Sequence, residues 1–184
     1  AFKKYATVPI ISLESAGLHP LQALADIMTI FEHSTQKPKI VVTWAPHVKA
    51  LPQAVVNSLL EWSPFLEADF VLTHPIGYEL DTKFTQHVQT EYDQDKALGD
   101  ADFVYVKNWS QVSPYGKILE NTSHPMLDES LFKIAPNAKI MHCMPVRRNL
   151  ELSDTLIDHK QSLLLKQAEN RVHAMYAVLK SCLT

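Results

Sequence analysis

Two short strings carry most of the chemistry available to this chain. His19-Pro20-Leu21-Gln22 places an imidazole and an amide at the mouth of an apolar helical run containing Leu24, Ile27 and Met28. Proline suits a first helical turn, and the free backbone amides there favour an anion. His19 and Gln22 could therefore hold a polar carbonyl beside a phosphate; a capping turn with an incidental histidine is the alternative. His142-Cys143-Met144-Pro145 ends an apolar, β-rich run. Pro145 interrupts strand pairing there and leaves nearby carbonyls free to accept hydrogen bonds from an amide or amine. A reactive Cys143 would need a base and a depressed pKa, and an inert buried thiol is the alternative. Arg147, Arg148 and Arg171 are candidate anion clamps, since a guanidinium fork matches carboxylate and phosphate, although paired arginines are often only solvated. Arg171, beside Asn170, is expected at the start of the last helix.

Such residues act together only if regular elements position them. Five apolar runs read as strands: Val8–Leu13, Lys39–Ala45, Asp69–His74, Asp102–Lys107 and Lys139–Met144. Between them the period turns helical. Leu51, Val55, Leu59 and Trp62 fall on one side, opposite Gln53, Asn57 and Glu61. The C-terminal segment repeats the pattern with Ala168, Val172, Met175, Leu179 and Cys182. The strands lack clean alternation, as expected when both faces are covered. The fold class is therefore α/β, a doubly wound, mostly parallel sheet with helices on both faces, with an α+β arrangement as the rival. His33–Lys39 and Ser110–His124 read as loops. In open α/β sheets ligands sit beyond the carboxyl ends of the strands. The residues there are Glu14 leading to Gly17, then His47, His74-Pro75, Lys107-Asn108-Trp109 and the His142 string with Arg147 and Arg148 just beyond.

Composition removes several classes. Apolar residues make up 46% of the 184 and charged residues 20%, enough for a core and too ordered a balance for wholesale disorder. No apolar run approaches the roughly 20 residues of a membrane span, and Ala1 to Tyr5 is too polar for a signal peptide, so no membrane partner is expected. A net charge of −3 with scattered cations argues against nucleic acid. The two cysteines, Cys143 and Cys182, are reduced, cytoplasmic usage. The nine histidines form no metal-binding spacing, and the four glycines exclude G-x-G-x-x-G and the P-loop, so neither a metal nor a nucleotide cofactor is expected. There is no G-x-S-x-G elbow either. The opening at Ala1, inside a helical pattern with Phe2 and Tyr5, reads as a piece of something longer.

Taken in order, His19-Pro20-Leu21-Gln22 and His142-Cys143-Met144-Pro145 resemble the HPxQ and HCLP motifs of the aspartate/ornithine carbamoyltransferase superfamily. Trp44-Ala45-Pro46-His47, Leu51-Pro52-Gln53-Ala54, Lys107-Asn108-Trp109 and Cys143 through Asn149 narrow the resemblance to its N-acylornithine branch, and it extends over nearly the whole chain. Ordinary ornithine carbamoyltransferases carry Asp-x-x-x-Ser-Met-Gly near the fourth strand. Here the region reads Lys107-Asn108-Trp109-Ser110-Gln111, which disfavours free ornithine.

The resemblance implies transfer of a carbamoyl group from carbamoyl phosphate to the side-chain amine of an N-acylated ornithine, in arginine biosynthesis. The alternatives are ordinary ornithine carbamoyltransferase and a non-catalytic α/β ligand-binding domain. By the same resemblance, His19 donates to the carbamoyl oxygen, while Gln22 and the Cys143 and Met144 carbonyls hold its amide nitrogen. Pro20, Leu21 and Arg171 complete the carbamoyl phosphate set. Glu14, His47, Lys107 and Arg147 match the positions that grip the acylornithine. Met144 stands where leucine is usual, a volume-conserving change. Glu151 stands where some members carry a carboxylated lysine. The superfamily's Ser-x-Arg-Thr phosphate loop belongs to an N-terminal carbamoyl-phosphate domain and has no match here. Residues 1–184 are thus expected to be mainly the acylornithine-binding domain, without that N-terminal domain, and inactive alone. The family's active sites also borrow residues across a homotrimer.

Overall fold

In the computed structural model, which describes residues 2–119 and 123–183, the chain builds one parallel sheet covered on both faces. A short helix α1 (Phe2–Tyr5) and an extended lead precede α2 (Pro20–Glu32). Then follow β1 (Lys39–Trp44), α3 (Ala54–Glu61), β2 (Asp69–Thr73), α4 (Thr82–Thr85), β3 (Gln89–Thr90) and α5 (Gln94–Leu98). The chain closes with β4 (Phe103–Lys107), α6 (Leu131–Ile134), β5 (Lys139–Met141), α7 (Asp154–Ile157) and the long α8 (Leu164–Leu183). The strand order is β3-β2-β1-β4-β5, every pair parallel. The chain thus fills the sheet outward from β1 on one side, then crosses back to fill the other. That reversal puts a crevice beyond the carboxyl ends of β1 and β4.

The strands read as continuous apolar runs because each side of the pleat has its own core. Ile40, Val42 and Trp44 of β1 join α2 and α3 residues such as Ile27, Ile30, Val55 and Leu59. Val41 and Ala45 join Leu98, Val104, Leu131 and Ile140 on the opposite face. The α/β expectation and four of the five strands hold. Val8–Leu13 does not: it lies outside the sheet with Val8 69% and Leu13 53% exposed. β-branched residues suit a pleated, half-buried surface, and this run has no such surface in this chain. The two-residue β3, exposed and polar, carries none of the usual strand signal.

Two helical faces also differ from their periodicity. Two of the three polar-side residues of α3 are buried, Gln53 donating to the Ser110 carbonyl (2.6 Å) and Asn57 to that of Gly17 (3.1 Å), while Glu61 is exposed. In α8 the buried stripe is Leu164, Gln167, Asn170 and Ala174, against α2, whereas Val172 is 69% exposed and Leu179 is exposed too. The helix was legible, but polar partners on α2 decide which face turns inward. The expected loop His33–Lys39 joins α2 to β1. Of Ser110–His124, the described residues are turns and irregular chain; 120–122 lie outside the described residues, as does Ala1. Among the described residues, no helix is long and apolar enough to cross a membrane, and no three His, Cys, Asp or Glu side chains gather as metal ligands.

His124 gives the fold a pH signature. It is fully buried, with Nε2 2.8 Å from Thr73 Oγ1 and Nδ1 3.0 Å from Ser123 Oγ. Burial, with a smaller push from His74, lowers it from 6.5 to about 4. The unfolded chain takes up this proton near 6.5 and the folded chain only near 4, so stability falls as pH drops through that window. Denaturant unfolding between pH 6.5 and 4 should show this loss, and His124→Gln should flatten the slope; an unchanged slope in the variant would contradict it.

Candidate active-site cleft

The crevice beyond β1 and β4 is a cleft of about 320 Å³ that gathers most of the residues singled out by sequence. Glu14, His19, Gln22, His47, Lys107, Cys143, Met144 and Arg147 all line it, joined by Lys49, Leu51, Val55 and Glu151. Each comes from an element end. His19 sits at the N-terminus of α2, and its backbone N–H donates to Ser58 Oγ on α3 (2.7 Å). Together with the Asn57 contact, this clasp explains why polar residues of α3 are buried: it fixes the chain that delivers His19. Lys107 ends β4, buried, and Ala45 N–H donates to its carbonyl (3.1 Å). Asn108 ties the same two strand ends by donating to the Ala45 carbonyl (2.7 Å).

Burial lowers the His19 pKa, against the pull of Glu14 and with help from Arg171, so the ring is neutral at neutral pH. Among the described residues its buried Nδ1 has no partner. Gln22 is also buried: Nε2 donates to Asp26 Oδ1 (2.7 Å), and Oε1 has no partner among the described residues. Buried polar atoms in a native fold are nearly always satisfied, so such atoms in residues lining a cleft point to a ligand. The Cys143 thiol is pushed up to about 11, chiefly by burial, and is no nucleophile at neutral pH. What Cys143 offers is its backbone carbonyl.

That carbonyl is held from below. His142, fully buried, points Nδ1 at the Cys143 carbonyl and Nε2 at Glu151 Oε1 (3.2 Å). Glu151 Oε2 accepts from the backbone N–H of Arg147 (2.9 Å). Burial raises the Glu151 carboxyl, but His142, the Arg147 N–H and Lys107 outweigh it and hold it below its ordinary value. Glu151 therefore supplies fixed negative charge behind the cleft and fastens the start of the Arg147 loop. At the rim, Arg147 Nε donates to His47 Nε2 (2.9 Å), and His47 Nδ1 lies 3.0 Å from the Lys49 backbone nitrogen and 3.1 Å from its carbonyl. Lys107, Arg147 and Lys49 against Glu14 and Glu151 give the cleft both signs of charge, as a ligand carrying a carboxylate and an amine requires.

Four of the residues chosen from sequence stand elsewhere. Arg148 lies outside the cleft, paired with Asp154 and Asp158. Arg171 is two turns into α8, not at its start, on an exposed face beside Leu13, Leu21 and Val172. Leu21 is buried beneath that hollow, and Pro20 is the exposed first residue of α2. Asp26 and Gln167, which hold the cleft from beneath, escaped the sequence reading. The one signal for Asp26 was an acid four residues after Gln22 in an otherwise apolar helix.

Comparison with known proteins agrees with this geometry. Residues 51–182 match the family described as aspartate/ornithine carbamoyltransferase, Asp/Orn binding domain. An N-succinylornithine carbamoyltransferase of Bacteroides fragilis (strain 638R) is 44% identical over 99% of this chain and 58% of its own length. An N-acetylornithine carbamoyltransferase of Xylella fastidiosa (strain Temecula1) is 32% identical over 97% of this chain and 60% of its own length. A crystal structure of an N-acetyl-L-ornithine transcarbamylase variant complexed with PALAO superposes with a TM-score of 0.90 at 30% identity, covering 98% of this chain and 61% of that one. The chain thus spans less than two thirds of these relatives. With the motif order, the sheet and the match all in agreement, the chain belongs to the aspartate/ornithine carbamoyltransferase family.

Proposed function

We propose that the protein of which this chain forms the larger part transfers a carbamoyl group from carbamoyl phosphate to the side-chain amine of an N-acylated ornithine, a step of arginine biosynthesis. The observation that carries this reading is the pairing of acceptors and cations across one cleft. Gln22 Oε1 and the strand-end carbonyls at Cys143 and Met144 suit an NH2 group, while Lys107 and Arg147 suit a carboxylate. Blocking the α-amine leaves an amide and a carboxylate, and Lys107-Asn108-Trp109 replaces the motif that serves free ornithine. N-succinylornithine is the proposed substrate ahead of N-acetylornithine, because the succinylornithine relative is 44% identical and the acetylornithine relative 32%.

In the reaction the amine nitrogen attacks the carbamoyl carbon, the bond from that carbon to the phosphate oxygen breaks, and the amine loses a proton. Negative charge grows on the carbonyl oxygen. A neutral His19 carries one N–H to meet it, an oxyanion clamp, and the remaining acceleration is orientation of two bound substrates. The phosphate needs more cations than the cleft holds. A carbamoyl-phosphate domain in the rest of the protein would supply them, and the exposed apolar side chains Leu13, Val172, Tyr176 and Leu179 offer it a surface to cover. Arg171, set in that surface, would then face the phosphate from the boundary. A homotrimer and a cytoplasmic location complete the proposal.

The full-length protein should release phosphate from carbamoyl phosphate with N-succinylornithine and leave free ornithine unused; preference for ornithine would refute the substrate assignment. His19→Ala in the same protein should lower kcat by on the order of 10²–10³, the usual loss for one oxyanion donor. Unchanged turnover in that variant would remove His19 from the chemistry.

A further inference from the structure

Beneath the cleft lies a polar joint that the reaction as described does not use. Asp26, one turn beyond Gln22 on α2, is fully buried. Its Oδ1 accepts from Gln22 Nε2 (2.7 Å) and from Gln167 Nε2 on α8 (2.6 Å). Gln167 Oε1 in turn accepts the backbone N–H of His142 (3.0 Å), at the start of the strand-end string. The Asp26 carboxyl therefore meets three of the elements that build the cleft: α2 directly, α8 through Gln167, and the end of β5 through His142.

A primary amide has two unlike ends, and this joint decides which one faces the substrate. A carboxylate only accepts, so Gln22 must turn its nitrogen inward to Asp26. Its oxygen then lies on the other side of the amide, buried and without a protein partner, in a residue that lines the cleft. Burial pushes Asp26 up to about 7, with the Gln22 and Gln167 donors and the Tyr105 hydroxyl pulling the other way. Titration does not undo the arrangement. Oδ1 is occupied by two N–H donors, so a proton would reside on Oδ2, and Oδ1 would still accept.

We propose that Asp26 is a positioning residue which, by locking the Gln22 amide oxygen toward the cleft, makes the site select a carbamoyl group over an acetyl group. This rests on the proposed carbamoyl transfer. With Gln22 Oε1 and the Cys143 and Met144 carbonyls all acceptors, an NH2 group is satisfied, and a methyl group of the same size leaves the buried Gln22 oxygen unpaired. A site built to hydrogen-bond a donor rejects the analogue that lacks it far more strongly than a size-matched apolar pocket would.

The test is the ratio of Ki for acetyl phosphate, as a competitive inhibitor, to KM for carbamoyl phosphate in the full-length enzyme. Asp26→Asn alone keeps its oxygen where Gln22 Nε2 and Gln167 Nε2 converge, because Gln167, held by the His142 N–H, still donates there, so the ratio should stay as it was. In the double variant Asp26→Asn with Gln167→Glu, the introduced carboxylate on α8 draws the Asn nitrogen to that point instead. Gln22 then meets a donor and turns its own oxygen inward, so the ratio should fall by at least about tenfold, the loss of one buried hydrogen bond, while KM for the acylornithine stays as it was. A merely structural Asp26 would lower melting temperature and kcat in the double variant and leave the ratio unmoved, which would overturn the proposal. If the double variant does not fold, the wild-type enzyme decides by NMR. The Gln22 side-chain NH2, assigned by its loss in Gln22→Leu, should exchange slowly with solvent, and fast exchange would overturn the proposal. Wild-type turnover with carbamoyl phosphate is the control for the reaction itself; its absence would overturn both.

Discussion

A buried acid needs donors, and in this protein that requirement joins the parts of the cleft. Asp26 is closed off from water and accepts from Gln22 and Gln167 at short distances. An isolated buried carboxyl is strongly unfavourable, and removing one partner from such a joint costs far more than a typical surface contact contributes. The geometry that satisfies Asp26 therefore fixes the roll of α8 against α2. It also turns the amide of Gln22 and sets the height of the strand end at His142. Asn170 repeats the device one turn further along, donating to Thr29 Oγ1 and Glu32. Helix packing by hydrogen bonds is directional where apolar packing is not, and a site needing an amide oxygen in a set place benefits from that direction.

The sheet supplies the second constraint. The chain reverses its direction of growth at β1, so β1 and β4 are neighbours whose outgoing segments diverge. Divergence opens the crevice, and the link from Asn108 to the Ala45 carbonyl keeps its floor together. The functional groups then arrive from five places: His19 and Gln22 from a helix start, His47 and Lys107 from β1 and β4, Cys143 from β5 and Arg147 from the loop beyond. Glu151 and His142 hold the last two in register from behind. Much of what touches the ligand space is backbone carbonyl or a side chain already bonded to its neighbours, which keeps reorganisation small on binding.

Much of this was legible in the residues. Apolar runs without alternation announced strands buried on both faces, and the strand-end rule placed His47, Lys107 and Cys143 on one edge before any geometry was known. The failures have physical causes. Val8–Leu13 has the composition of a strand, but pairing depends on a neighbour that composition does not encode. The α8 stripe Val172, Met175 and Leu179 has the right period for a buried face, yet Gln167 and Asn170 are the residues turned inward, because their partners Asp26, Thr29 and Glu32 lie on a helix more than a hundred residues earlier. Polar burial is set by long-range pairing and leaves little trace in local sequence. For the same reason Asp26 passed unnoticed beside Gln22.

The atoms of the cleft that would meet the carbamoyl group of the proposed substrate decide between carbamoyl transfer and its alternatives. A crystal structure of the full-length protein with carbamoyl phosphate and N-succinylnorvaline, which lacks the attacking amine, would show this directly. The carbamoyl nitrogen should lie within hydrogen-bond distance of Gln22 Oε1 and the Cys143 carbonyl, with Gln22 Nε2 still on Asp26 and the norvaline carboxylate against Arg147 or Lys107. A carbamoyl group bound away from these two acceptors, or a Gln22 presenting its nitrogen to the ligand, would contradict it.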